Sequence, residues 1–131
     1  MRHQAREIAL QILFQIEFAS RISYQDFLTL FEETVPKEAV DYADLIVRGV
    51  KDHQSEIDAA IQSASAHWSL GRMSIVDRNI LRISVFEMKY STQPIKPSIT
   101  INEAIELAKK YGSTDSSSFV NGILDSISKG I

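Results

Sequence analysis

Two pairs of arginines stand four residues apart, and they are the side chains best suited to chemistry in this chain. Arg2 and Arg6 open one helical pattern, and Arg78 and Arg82 lie inside a later one. Residues four apart share a helix face, so each pair presents two neighbouring guanidinium groups. Guanidinium groups bind phosphate through paired hydrogen bonds, and Phe14, further along the row of Arg2 and Arg6, could stack on a base. The first pair thus indicates either an RNA-binding end of the chain or a solvated surface.

Other polar residues favour structural roles. Arg82 is surrounded by Ile80, Leu81 and Ile83, which predicts an internal ion pair, with Glu87 or Glu103 as the candidate carboxylate. Asp77 stands at a helix start and Phe119 at the edge of an apolar stripe. These two are interpreted either as cap and core or as a protein-docking patch.

No pattern of a catalytic or metal site is present in the sequence. The three histidines, His3, His53 and His67, have no metal-ligand spacing, and no glycine-rich phosphate loop occurs. The serines at 116–118 have no nearby histidine and are typical of a turn. The chain has no cysteine, which excludes disulfide and thiolate chemistry and suits a reducing compartment. We therefore expect no enzymatic activity and no cofactor.

Charge is unevenly distributed along the 131 residues, although the net charge is only −3. Residues 26–71 carry three basic and nine acidic side chains, whereas residues 72–110 carry seven basic and four acidic ones. One part of the molecule could therefore attract phosphate while another repels it. No apolar run approaches the ~20 residues of a membrane span, so a cytoplasmic protein is expected.

Hydrophobic periodicity predicts an all-α protein of six or seven helices. The expected helices before the last hairpin are, in order, about 2–20, a short one capped by Ser23, one from Pro36 through Val50, about 55–66 and about 73–90. The second is expected to bury Phe27, Leu28 and Phe31, and the third to pack closely at Gly49. The fifth is apolar almost all round, which places it in the middle of the domain.

The run from Thr100 to Asp125 predicts two further helices joined by a polar turn. Thr100 and Glu103 have the spacing of a capping box, and Gly112 is a typical stop. The turn STDSS offers side-chain caps for the second helix, whose apolar stripe is Val120, Ile123, Leu124 and Ile127.

Four segments of the sequence resemble the NusB family of bacterial transcription antitermination factors. They are AREIALQILFQ, the W-x-L-x-R motif from Trp68 to Arg72, DRNILRISVFE, and INEAIELAKKYG followed by FVNGILD. The resemblance spans essentially the whole chain, although residues 20–65 agree only in length and helical character. It implies a single RNA-binding domain made of two small helical bundles packed across each other, about 1–66 and about 72–131.

The resemblance also implies a function. NusB proteins pair with the ribosomal protein NusE, and the heterodimer binds boxA RNA. Together with RNA polymerase and other Nus factors it promotes read-through in ribosomal RNA operons. Neither a membrane nor a cofactor is involved, and a homodimer in the absence of NusE stays open.

Carried onto this chain, the resemblance assigns two groups of residues. RNA binding falls to Arg2, Arg6, Phe14 and Asp115, and NusE binding to Asp77 and Phe119. His3 and Gln4 stand where some relatives carry further arginines. Because fewer cations release fewer counterions, RNA affinity should be weaker and more dependent on NusE.

Two other interpretations stay open. The negative net charge favours a protein-only helical adaptor, in which the arginines are merely surface residues. The other is a stand-alone relative of the NusB-like domain of ribosomal RNA cytosine methyltransferases. That alternative is disfavoured because the chain stops at Ile131, which leaves no room for a methyl-donor domain.

Overall fold

The computed structural model describes residues 1–18 and 23–131, apart from the side chain of Phe27. Within those ranges the protein is all-helical, which confirms the predicted fold class. Its seven α-helices are α1 Arg2–Phe18, α2 Tyr24–Glu32, α3 Lys37–Asp52, α4 Gln54–Ala64, α5 Ile75–Val85, α6 Pro97–Tyr111 and α7 Ser116–Ser128. A 3₁₀ turn, Leu70–Arg72, precedes α5, and a π-helical turn, Phe86–Tyr90, follows it. None of these helices is long and apolar enough to cross a membrane.

Helix α5 is the centre of the molecule, as its all-round apolar character predicts. Every residue from Asn79 to Val85 is buried. The helix contacts α1, α3, α4, α6 and α7, while α1 packs chiefly on α3 and α6 chiefly on α7. The division into two bundles at about residues 66–72 stays a prediction.

The predicted apolar stripes form most of the core. In α1 the predicted stripe is Ala5, Ile8, Ala9, Ile12, Leu13 and Ile16, of which all but the partly buried Ile16 are buried. In α7 the buried stripe is Val120, Ile123, Leu124 and Ile127. Ser23 caps α2 as expected, because its Oγ accepts a hydrogen bond from the Asp26 amide at 3.2 Å. In α2, Leu28 is buried and Phe31 partly buried, whereas the Phe27 prediction lies outside the described side chains. Leu45 of α3 is 44% exposed and lies outside the core.

The capping box predicted at Thr100 is wrong. Helix α6 begins at Pro97, and the Lys96 carbonyl accepts hydrogen bonds from the Ile99 and Thr100 amides at 3.0 and 3.1 Å. Proline favours the first helical position because its φ is preset and its missing N–H has no helical partner there. Thr100 is therefore a buried helix residue, and Glu103 pairs with His3 instead.

The turn between α6 and α7 also differs in detail from the prediction. Gly112 ends α6 as expected, and a Cβ there would overlap Ser116. No side chain of the turn caps α7, whose N-cap is Asp115. Instead Ser116 Oγ accepts a hydrogen bond from the Ser113 amide at 2.9 Å, which fastens the start of α7 to the turn.

Gly49 lets α3 lie directly against the π-helical turn, since a Cβ there would overlap the Phe86 ring. Gly49→Ala is therefore expected to lower the free energy of unfolding by about 1–3 kcal/mol, measured by urea denaturation. Gly122, inside α7, has nothing within 4 Å of its Cβ position and provides the control. Gly122→Ala should be neutral or stabilising. Equal effects of the two substitutions would contradict this account of Gly49.

Candidate interaction surfaces

Arg6 is the best-anchored cation of the candidate RNA end. Its Nε and Nη2 donate to the two carboxylate oxygens of Glu87 at 2.8 and 2.9 Å, and Glu103 lies 3.6 Å from Nη1. The hydroxyl of Tyr42 donates to the same carboxylate at 2.5 Å. Arg6 is only 3% exposed, so its expected position on the surface beside Arg2 was wrong. Contact between Arg6 and RNA stays a prediction.

The protonation states in this cluster are set by burial and by Glu87. Burial alone would lower the pKa of Arg6, but the hydrogen bonds and charge of Glu87 hold that pKa above its ordinary value. Burial, and then the hydrogen bond to Glu87, raise the pKa of Tyr42 well above its ordinary value. Both groups therefore remain donors near neutral pH, and the Glu87 carboxylate is held from two directions.

Arg2 is exposed, and its guanidinium carbon lies 5.1 Å from the centre of the Tyr42 ring. No carboxylate of the described residues lies within ion-pair distance of it. A cation over an aromatic face gains electrostatic attraction while it stays in water. Arg2 thus keeps its hydrogen-bond donors available for an external anion.

Phe14 forms part of an apolar groove of about 400 Å³ between α1, α2, the start of α5 and the end of α6. Tyr111 also lines this groove. The Tyr111 hydroxyl donates to Glu7 at 2.7 Å and accepts from Gln11 at 3.3 Å. Burial would raise the pKa of Glu7, but hydrogen bonds from Lys110 and Tyr111 lower it below its ordinary value, so its carboxylate is a fixed acceptor. The groove therefore has three aromatic side chains, Phe14, Phe31 and Tyr111, and hydrogen bonds to Glu7 and Gln11 hold the hydroxyl of Tyr111 in place.

A second groove brings together Asp77, Asp115 and Phe119. Asp77 and Phe119 are 42 positions apart in the sequence. Its volume is about 550 Å³, and half-exposed Trp68 also lines it. Asp77 is not the cap of α5: Ser74 is the N-cap, and its Oγ accepts a hydrogen bond from the Asp77 amide at 3.0 Å. The Asp77 Oδ1 atom is buried and has no hydrogen-bond donor among the described residues. A partner that fills this groove with apolar groups and supplies a donor would satisfy it.

Arg82 forms the internal ion pair that the sequence predicts, but with other carboxylates. Its Nε and Nη2 donate to Asp58 at 2.8 and 3.1 Å, and Glu17 lies 3.5 Å from Nη1. The predicted partners, Glu87 and Glu103, lie within ion-pair distance of Arg6 instead. Sequence spacing relates neighbours within one helix, so it could not choose among carboxylates on different helices. Tyr42 and Glu7 were missed for the same reason.

Within residues 1–18 and 23–131, no group of three or more histidine, aspartate or glutamate residues could hold a metal ion. The two grooves and the arginine cluster offer apolar, aromatic and charged contacts.

Comparison with known proteins decides which family has this arrangement. The model of the NusB family matches residues 3–129. The chain belongs to the NusB family. The transcription antitermination protein NusB of Bdellovibrio bacteriovorus is 59% identical over 128 residues, which cover 98% of this chain and 95% of that protein. The NusB of Geobacter sulfurreducens is 44% identical and covers 96% of this chain, with 92% of its own length matched.

Solved NusB structures have the same fold. T. maritima NusB superimposes with a TM-score of 0.89 at 41% identity and covers 98% of this chain and 91% of its own. A chain from the crystal structure of antitermination factors NusB and NusE in complex with double-stranded RNA gives 0.82 at 30% identity, with 99% and 97% covered. The NusB family consists of non-enzymatic antitermination factors, so family membership confirms the expectation that this chain is not an enzyme.

Proposed function

We propose that this chain is a cytoplasmic transcription antitermination factor that binds boxA RNA together with NusE. In this role it joins RNA polymerase and other Nus factors and promotes read-through in ribosomal RNA operons. The curated relatives are named as antitermination proteins, and a similar solved chain comes from a complex with NusE and RNA. The chain acts as a single domain with bundles at about 1–66 and 72–131.

The groove of Asp77 and Phe119 is the observation that best supports a protein partner. It is apolar, it is wide enough to admit side chains, and the Asp77 Oδ1 atom lacks a donor. Burying that oxygen under a partner without a donor would be costly, so the groove selects a partner that presents one. We assign this groove to NusE.

The end of the molecule that carries Arg2 and Phe14 is the proposed RNA surface. Arg2 offers unpaired donors to a phosphate, and Phe14 and Tyr111 offer aromatic side chains to an unstacked base. Asp115 lines the NusE groove, and its carboxylate can accept hydrogen bonds from the amino groups of bases at the junction with the partner. Arg6 contributes to RNA binding from inside the protein.

Titration of labelled boxA RNA and a scrambled RNA of equal length, each with and without NusE, tests this function. We expect tighter binding of boxA in the presence of NusE and weak, salt-sensitive binding of both RNAs in its absence. Equal binding of boxA and scrambled RNA with NusE present would overturn the sequence-specific function. It would favour the protein-only adaptor, which the net charge of −3 and the burial of Arg6 support.

Light scattering over a concentration series tests whether the free protein forms a homodimer.

Stacking of a base on Phe14 can be tested with a set of boxA RNAs, each of which lacks the base at one position. Phe14→Leu is expected to weaken boxA binding roughly ten-fold, because base–aromatic stacking is lost. At the one position where removal of the base weakens wild-type binding by the same factor, Phe14→Leu should add no further loss. Phe14→Tyr keeps the ring and serves as the control. If every abasic RNA responds additively to Phe14→Leu, no base stacks on this ring.

A further inference from the structure

Arg6, Glu87, Tyr42 and Arg2 form a continuous series of contacts from the interior to the surface. Arg6 of α1 holds both oxygens of Glu87, which the π-helical turn places next to α1. Glu87 accepts the hydrogen bond of the Tyr42 hydroxyl from α3. The ring of Tyr42 in turn lies beneath the guanidinium group of exposed Arg2 at 5.1 Å. Each contact fixes the next group.

We propose that Tyr42 is the platform that orients Arg2 toward RNA, and that Arg6 and Glu87 act on RNA binding only by holding this platform. The inference rests on the proposed RNA-binding function and deepens it. It makes Arg2 the contacting group and makes Arg6, Glu87 and Tyr42 positioning residues.

The burial of Arg6 supports this division of roles. A guanidinium group that is 3% exposed and bonded to two carboxylate oxygens would have to leave Glu87 uncompensated in order to reach a phosphate. Arg2 needs no such rearrangement. Stacking on Tyr42 restricts the many conformations of a long side chain near the helix terminus, so less entropy is lost when Arg2 binds a phosphate.

Tyr24 provides a matched control within the same protein. Its hydroxyl donates to a carboxylate, that of Asp44, and the Arg48 guanidinium lies 5.6 Å from its ring centre. Here, however, Arg48 is already paired with Asp44 at 2.8 Å, and the surrounding segment is acidic. The two tyrosines share their local chemistry, but of the two guanidinium groups above them only that of Arg2 has no carboxylate within ion-pair distance in the described part of the chain. The Nζ atom of Lys51 also lies 5.8 Å from the Tyr24 ring centre.

The experiment is a double-mutant cycle on the full chain with NusE, measuring the boxA dissociation constant across a series of salt concentrations. Arg2→Ala should weaken binding and make the slope of log K against log salt shallower by about 0.7, the value for one phosphate contact to single-stranded RNA. Tyr42→Leu should weaken binding several-fold and change the slope in the same direction. Tyr42→Leu combined with Arg2→Ala should bind no more weakly than Arg2→Ala alone, and Tyr24→Leu should bind like the wild type.

The slope distinguishes positioning from a merely structural role. Partial unfolding lowers the active fraction equally at every salt concentration and leaves the slope unchanged, and helicity measured by circular dichroism reports it separately. Tyr42→Phe, which keeps the ring but loses the bond to Glu87, should lose less affinity than Tyr42→Leu. An additive cycle, or an unchanged slope for Tyr42→Leu, would overturn the platform.

The role of Arg6 is tested in the Arg2→Ala background with the paired replacement Arg6→Met and Glu87→Leu, which removes both charges together. Positioning predicts no further change in slope, whereas a second shallowing by about 0.7 would show that Arg6 contacts phosphate itself. If boxA and scrambled RNA bind equally, the proposed function fails. In that case the same double-mutant cycle on scrambled RNA still tests whether Tyr42 orients Arg2, because phosphate contacts do not depend on sequence.

Discussion

Arg6→Ala is expected to lower the free energy of unfolding by about 3–5 kcal/mol, because it leaves a buried carboxylate without its cation. Glu87 is 1% exposed and receives two of its hydrogen bonds from Arg6. Among the residues that the structure describes, only the Tyr42 hydroxyl would remain to compensate it, with Glu103 nearby as a second negative charge. Urea denaturation at neutral pH, followed by circular dichroism, measures the loss.

Removing both partners of the ion pair should cost much less than removing one. Arg6→Met with Glu87→Leu replaces the pair by apolar groups of similar size, so no charge is left buried, and most of the stability should return. Arg48→Ala is the control for a surface pair: it breaks the exposed contact with Asp44 and should leave stability unchanged within error. If Arg6→Ala is as mild as Arg48→Ala, the carboxylate of Glu87 is relieved by solvent rather than by Arg6.

The Arg6 cluster also shows why sequence patterns predicted the fold better than the sites. The apolar stripes of α1 and α7 were predicted because 3.6-residue periodicity is a property of one helix by itself. The partners of Arg6 and Arg82 depend on which helices meet across the core, which periodicity does not specify. Both arginines stand at similar i,i+4 spacing, and both turn out to be internal.

A helix start was predicted correctly where the sequence offered a single start signal, and wrongly where two start signals stood close together. Ser23 had no competitor and caps α2. At Thr100 the hydroxyl competed with Pro97, whose fixed φ moved the N-cap of α6 four residues earlier, to Lys96. The resemblance placed Asp77, Asp115 and Phe119 on interaction surfaces, and the structure brings these three together in one groove. Tyr111 and Tyr42 could not be singled out, because an aromatic residue at helical spacing usually belongs to the core.

Phe119→Asp is expected to cost most of the affinity for NusE, about 2 kcal/mol or more, if the ring is the anchor of the Asp77 groove. Phe119 is partly buried against the core and lines the groove beside Asp77 and Asp115. A carboxylate there would add a third negative charge to a cavity that must lose its water when the partner binds. Isothermal titration of NusE into each variant measures the effect.

The matched control is Phe18→Asp, because Phe18 is 68% exposed, at the end of α1, and is absent from the groove lining. Phe18→Asp introduces the same charge and also removes a phenylalanine ring, but outside the groove. It should therefore leave NusE affinity unchanged. Phe119→Ala, which adds no charge, should weaken binding less than Phe119→Asp and reports the apolar contribution alone. Circular dichroism must show full helicity for each variant, since Phe119 also packs against the hydrophobic core. An equal loss from Phe18→Asp and Phe119→Asp would mean that charge, not this groove, governs NusE binding.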